Sequence, residues 1–163
     1  VYDTDDSKSL IRSILKEMAL DDKIYKVSSV LSRISGAKNR LLLYQEYLNN
    51  AIIQADDESA NRPKMGLIYK TYVERCFKAG CMDFDDLLFN TNVLFKKHPD
   101  VLNKYQKRFR YIMVDEYQDT NYSQYIITRS LSAVHQNICV VGDDAQSIYA
   151  FRGADISNIL NFE

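Results

Sequence analysis

The sequence predicts an α/β protein, mainly helical in its first part and ending in a parallel sheet with flanking helices. Three observations carry this prediction. Apolar residues recur at helical intervals through the first hundred or so residues. Two short apolar runs, Tyr111 to Val114 and Ile138 to Val141, are partly β-branched and too brief for helices of normal length. Between them lies a segment with helical spacing, as a βαβ crossover requires.

Taken in order, Leu10, Ile11, Ile14, Leu15 and Met18 form one apolar stripe behind a cap expected at Asp6 or Ser7. Tyr44, Tyr47, Leu48, Ala51 and Ile52 form a second stripe, and the polar, acidic segment from Asn49 to Arg62 reads as the flexible loop of the chain. A third helix is expected over Met65, Tyr69, Tyr72, Val73 and Cys76, with Pro63 near its start and Gly80 where a left-handed residue is wanted. In DFDDLLF, Asp83 suits the cap of a helix whose apolar side holds Phe84, Leu87, Leu88, Thr91 and Leu94. Pro99 marks a new helix start before Val101, Leu102 and Tyr105. The two apolar runs then read as buried strands. Asn121 and Gln124 stand in capping-box spacing at the head of the crossover, which continues through Ile127, Leu131 and Val134.

Composition bounds the function. At 163 residues and 46% hydrophobic, the chain is long enough for one ordinary domain, or a small one and part of another. Lys and Arg number 21 against 22 Asp and Glu, so any nucleic-acid surface must be local. Cys76, Cys81 and Cys139 lack CxxC spacing and suit the reduced thiols of a cytoplasmic protein better than a disulfide framework or a zinc site. No apolar run approaches the roughly 20 residues of a membrane-spanning helix, and no membrane partner is expected.

Both expected strands end in acids: Asp115 and Glu116 on the first, Asp143 and Asp144 on the second. In open parallel sheets, functional groups gather at such carboxyl ends. An apolar strand ending in Asp-Glu suits nucleoside-triphosphate hydrolysis, the first acid holding Mg²⁺ and the second accepting a proton from the attacking water. The dipeptide alone serves equally well as a helix cap or as solvated surface.

Longer strings carry more. VDEYQDTN, followed after the crossover by VVGDDAQSIYAFRGA, closely resembles motifs II and III of the UvrD/Rep-type superfamily 1 DNA helicases. ISGAKN (34–39), DFDDLL (83–88) and YQKRFRYIMVDE (105–116) resemble the same family's stretches in the same order. The resemblance implies a helical subdomain over residues 1–82, inserted in the first motor domain. Residues 83–163 would then be part of a RecA-like, P-loop NTPase domain. It further implies ATP and Mg²⁺ as cofactors, and single-stranded and duplex DNA as partners of an enzyme coupling hydrolysis to 3′ to 5′ movement and unwinding.

Residue by residue, Asp115 matches the family's magnesium ligand, Glu116 its catalytic base, and Gln146 the glutamine that senses the γ-phosphate. Arg152 matches an arginine that pairs with the motif II glutamate, while Gln118 and Asp143 stand in supporting positions without an assigned role. Tyr149 and Phe151 match aromatics that stack on single-stranded DNA, Phe151 standing where many relatives carry Trp. The alternative for both rings is core packing. In ISGAKNR, Gly36 could end a helix and leave Ser35, Lys38, Asn39 and Arg40 to grip phosphates, or the stretch could be a solvated basic turn. Phe84 is a further DNA candidate in the family's terms, although Asp83, Asp85 and Asp86 need no role beyond favouring a helix N-terminus. Lys96, Lys97, Lys104, Lys107, Arg108 and Arg110 read as solvated surface.

The phosphate loop GxxxxGK[ST] does not occur in the sequence. The chain is therefore expected to be an internal piece of a longer polypeptide that supplies the missing motor domains, and to be inactive alone. Two other readings stand beside this one. One is a DNA-binding module without chemistry; the other is a nuclease using paired metals on Asp115, Glu116, Asp143 and Asp144, or a fused helicase-nuclease of the RecB/AddA type.

Overall fold

The computed structural model describes residues 1–143, 145, 154–155 and 157–160. The chain divides into two compact units, one of residues 1–38 and 42–87, the other of residues 39–41 and 88–163.

In the first unit, helix α1 (Thr4–Glu17) is capped by Asp3, three residues before the nearer of the two expected caps, Asp6 and Ser7. Asp3 accepts the Asp5 and Asp6 amide hydrogens at 2.8 Å each, and Asp6 reciprocates as the third-position partner of a capping box. Helix α2 (Val27–Asn39) runs through Gly36, a residue that could have ended it. One glycine costs a helix only about 1 kcal/mol. The chain leaves it beyond Asn39, with Leu41 at φ 58° and the Leu42 amide donating to the Ala37 carbonyl at 3.0 Å.

The second apolar stripe splits into α3 (Tyr44–Asn49) and α4 (Ala51–Ser59). Asn50 is extended, and its side chain accepts the Ile52 and Ile53 amides, so it starts a new helix inside the expected stripe. The expected loop over 49–62 is thus largely helical. Helix α5 (Met65–Lys78) follows the reading of Pro63 and Gly80, the latter at φ 61°. Helix α6 (Phe84–Lys97) is capped by Asp83 as expected, but Phe84, Leu87 and Leu94 are exposed, and the side chains it buries are Phe89 and Asn92.

The first unit's core gathers Ile11, Ile14, Leu15, Val30, Ile34, Met65 and Ile68 around four tyrosines. Each buried ring keeps a partner for its hydroxyl, which removes the penalty of burying it. Tyr25 accepts from the Lys64 amide, Tyr69 donates to the Leu42 carbonyl at 2.9 Å, Tyr72 to Asp83 at 2.9 Å and Tyr47 to Asp57 at 2.6 Å. Burial first, then the Asp57 carboxylate, pushes the Tyr47 phenol up to about 12. Gly66 lets α5 approach α3: a Cβ there would lie 2.6 Å from Leu48 Cδ2. Burial likewise pushes the Cys76 thiol up to about 11, which keeps it protonated and inert.

Lys38 is 2% exposed, with its ammonium 2.6 Å from Asp83 and 2.7 Å from Asp86, and 4.9 Å from the Tyr72 ring centre. Burial raises both acids; Lys38 and the added hydrogen bonds outweigh it at Asp83, whose carboxyl is held below its usual value. At Asp86 burial prevails and the carboxyl is raised.

In the second unit, α7 (Pro99–Arg108) carries Pro99 in its first turn as expected. Strands β1 (Ile112–Val114) and β2 (Ile138–Val140) pair in parallel, Ile112 with Ile138 through Val114 with Val140, and α8 (Tyr122–Ser132) connects them behind the Asn121–Gln124 capping box. The sequence predicts buried strands; instead one face is half-buried and the other, with Met113 and Cys139, is exposed. A short α9 (Ser157–Leu160) completes the described elements. The basic residues of 96–110 lie on the surface, as expected.

Amide side chains do much of the cross-linking here. Asn92 donates to the Ser123 carbonyl and hydroxyl, Gln106 to the Ser130 carbonyl at 2.7 Å, and Asn158 to the Thr120 carbonyl and hydroxyl.

Two outcomes follow for stability. Lys38→Met, which strands two buried acids, lowers the unfolding free energy by about 3–5 kcal/mol, read from urea denaturation of the chain. Asp86→Asn, which leaves a balanced Lys38–Asp83 pair, costs less than Lys38→Met; the reverse order would refute the structural role assigned to Lys38. The pH dependence has a definite sign. Stability from Asp83 is present above the ordinary carboxylate value of about 3.9 and lost as pH falls through its lower folded value; the raised Asp86 opposes that loss. Asp86→Asn therefore steepens the fall in urea midpoint between pH 7 and acid pH.

Candidate nucleotide site at the strand tips

The site begins with the pairing of the strands. Past Val114 the chain turns at once onto its neighbour: the Val141 amide donates to the Val114 carbonyl at 2.8 Å, and the Tyr117 amide to the Val141 carbonyl at 2.9 Å. Only Asp115 and Glu116 lie between these anchors, and Glu116 takes a left-handed conformation, φ 49° and ψ 43°. Such a conformation is strained for a residue with a Cβ, by about 1 kcal/mol or more, and marks a turn that the surroundings impose. The Glu116 amide donates to the Asp115 carboxylate at 2.9 Å, and both acids are exposed.

A 3-10 turn over Tyr117–Asp119 follows, closed by the Thr120 hydroxyl on the Tyr117 carbonyl at 2.7 Å. It buries Tyr117 and Gln118. The Gln118 amide nitrogen donates to Glu116 at 2.7 Å, and its oxygen accepts from the Asp143 amide at 3.0 Å. Asp143 in turn accepts the Ala145 amide at 3.0 Å.

Beside the turn lies a hollow of about 390 Å³ within the second unit, lined by Leu88, Val114, Asp115, Glu116, Asp119, Thr120, Gln124, Ile127 and Thr128. Asp119 Oδ1 is buried there without a hydrogen-bond partner among the described residues. A buried acid oxygen left without a partner calls for a donor or a cation. The donor set is all hard oxygen, which suits Mg²⁺, an ion that commonly takes one or two carboxylates and completes its shell with water and phosphate. No cluster of three or more His, Cys, Asp or Glu able to hold a metal ion occurs among the described residues.

Of the residues singled out from sequence, Asp115 and Glu116 are brought together, with Gln118 and Asp143 bonded beneath them. Lys38 is a correction: held by Asp83 and Asp86 inside the first unit, it is not available to grip a phosphate. Asn39 belongs to the second unit, where its buried side chain accepts from Asn121 at 2.9 Å. Phe84 is exposed on the first unit and lines a separate hollow of about 170 Å³ with Tyr2, Leu31 and Ser35. Asp144, Gln146, Tyr149, Phe151 and Arg152 lie outside the described residues. Asp119 was not singled out. An acid in a polar string carries no sign that one of its oxygens will be buried unpaired.

Comparison with known proteins agrees with the family resemblance. The family model for the UvrD/REP helicase N-terminal domain matches residues 1–163. The chain is 45% identical over its whole length to the ATP-dependent DNA helicase PcrA of Bacillus subtilis strain 168, of which it covers 21%. It is 40% identical to PcrA of Staphylococcus aureus strain Mu50 and 39% to that of Staphylococcus epidermidis strain RP62A, in each case over all of this chain and 22% of the relative. The chain thus spans about a fifth of the length of these relatives. With a family match that runs from the first residue to the last, this chain belongs to the UvrD/REP helicase N-terminal domain family.

Proposed function

We propose that this chain is part of the motor of an ATP-dependent DNA helicase, carrying motifs II and III of its nucleotide site. The observation that supports this best is the pair of exposed acids, Asp115 and Glu116, held by a strained turn at the carboxyl end of a parallel strand, beside a hollow that both help to line. In this reading residues 1–82 form the inserted helical subdomain, and residues 83–163 are part of a RecA-like domain. Magnesium-bound ATP would supply the phosphoryl group and neutralise its charge. Asp115 would hold the cation and Glu116 would accept a proton from the attacking water.

Gln146 is assigned the sensing of the γ-phosphate and Arg152 the pairing with Glu116. Both rest on motif correspondence, as does the stacking of Tyr149 and Phe151 on single-stranded DNA. Phe84, being exposed, is the further candidate for a base contact. Hydrolysis in the full-length protein would drive 3′ to 5′ movement on single-stranded DNA and separation of duplex, as work for a cytoplasmic enzyme.

Glu116→Gln in the full-length protein is expected to lower the rate of DNA-stimulated ATP hydrolysis by roughly 10²- to 10⁴-fold while nucleotide binding persists. Unchanged turnover would sink the assignment and favour a DNA-binding module without chemistry. The isolated chain, lacking the phosphate loop in its sequence, is expected to show no hydrolysis above background in a phosphate-release assay. Metal-dependent DNA cleavage without ATP, abolished by Asp115→Asn, would instead favour a nuclease.

A further inference from the structure

We propose that Gln118 is the positioning residue for Glu116, holding that carboxylate to the tip of β2 through a single buried amide. The inference rests on the reading of Glu116 as the proton acceptor. Gln118 is 1% exposed, and both ends of its amide are used. Its nitrogen donates to the Glu116 carboxylate at 2.7 Å and its oxygen accepts the Asp143 amide at 3.0 Å. The partners settle which way the amide faces. An ionised carboxylate only accepts and a backbone amide only donates, so the reverse orientation would set donor against donor and acceptor against acceptor.

The residue type follows from the same geometry. Of side chains with that length, only glutamine offers a donor and an acceptor on one planar group. Glutamate would place a second anion against Glu116, and leucine would fill the space but make neither bond. Glu116 itself is exposed, on a flexible stem that would otherwise sample several rotamers. Its backbone is fixed by the strained turn, and its carboxylate by Gln118. Because the other end of the amide sits on the Asp143 backbone, a shift of the segment after β2 reaches the Glu116 carboxylate through two hydrogen bonds. Gln118 thereby joins the two strand-tip motifs without contact with any substrate.

The test uses the full-length protein and DNA-stimulated ATP hydrolysis, with Gln118→Leu, Glu116→Gln and the double variant. Gln118→Leu is expected to lower kcat by about 10- to 100-fold with KM for ATP within about twofold, as for the loss of a residue that orients a reacting group. In the Glu116→Gln background the same change is expected to have no further effect on kcat, because the carboxylate it orients is gone. Gln118→Glu, which keeps the acceptor for Asp143 and nearly the same shape, is expected to lose kcat at least as severely, and it carries the test should the leucine variant not fold. Wild-type kcat in Gln118→Leu or Gln118→Glu overturns the proposal. So does a loss that multiplies with that of Glu116→Gln, or one confined to KM. Full turnover in Glu116→Gln alone overturns the reading of Glu116 itself, a result separate from any failure of Gln118.

Discussion

Two backbone hydrogen bonds, Val141 to the Val114 carbonyl and Tyr117 to the Val141 carbonyl, set the geometry from which the rest of the candidate site follows. They anchor the chain to the same neighbouring residue before and after a two-residue excursion. An excursion that short leaves little freedom, and Glu116 absorbs the reversal in a left-handed conformation that its Cβ disfavours. The turn is an imposed feature rather than a preference of the residues in it. Its result is that two acids project past the strand end while the next two side chains, Tyr117 and Gln118, are buried beneath them.

The two units hold together by different chemistry. The first is a helical core rich in tyrosine, where ring burial supplies the apolar contribution and each buried hydroxyl finds a carbonyl, carboxylate or amide. Its one deeply buried cation is surrounded by two acids and an aromatic face. Among its described residues the second unit buries few large apolar side chains, and it ties its elements together through Asn92, Gln106, Asn121 and Asn158. Amides make such ties specific in direction, since each needs a donor and an acceptor in the right places, whereas apolar contact tolerates sliding. A site that depends on where a carboxylate points is better served by the directional kind.

The outer face of the strand pair is a separate matter. Met113 is 79% exposed, and Tyr111, Cys139 and Val141 are exposed with it. Parallel sheets are ordinarily covered on both faces. Periodicity alone reads such a run as a buried strand, because a strand's residues record the face they prefer rather than the face that the rest of this chain covers.

Most of the architecture was legible because it is written in local signals. The Pro99 start, the Gly80 finish, the Asp83 cap and the Asn121–Gln124 box each act within a turn of the chain, and the parallel β-α-β order followed from run lengths. The misread elements were those where several residues compete for one local role. Asp3 took the cap from Asp6 by using Asp6 as its partner, and Asn50 broke a stripe that apolar spacing had joined. Sequence by itself determined most of the helical segments, both strands, the family resemblance and the presence of two acids at a strand end. Tertiary structure alone decided that Lys38 is locked between Asp83 and Asp86, that Glu116 sits in a strained turn, and that Gln118 spans the two strand tips. These depend on groups distant in the chain meeting at hydrogen-bond range, and one-dimensional spacing holds no record of such distances.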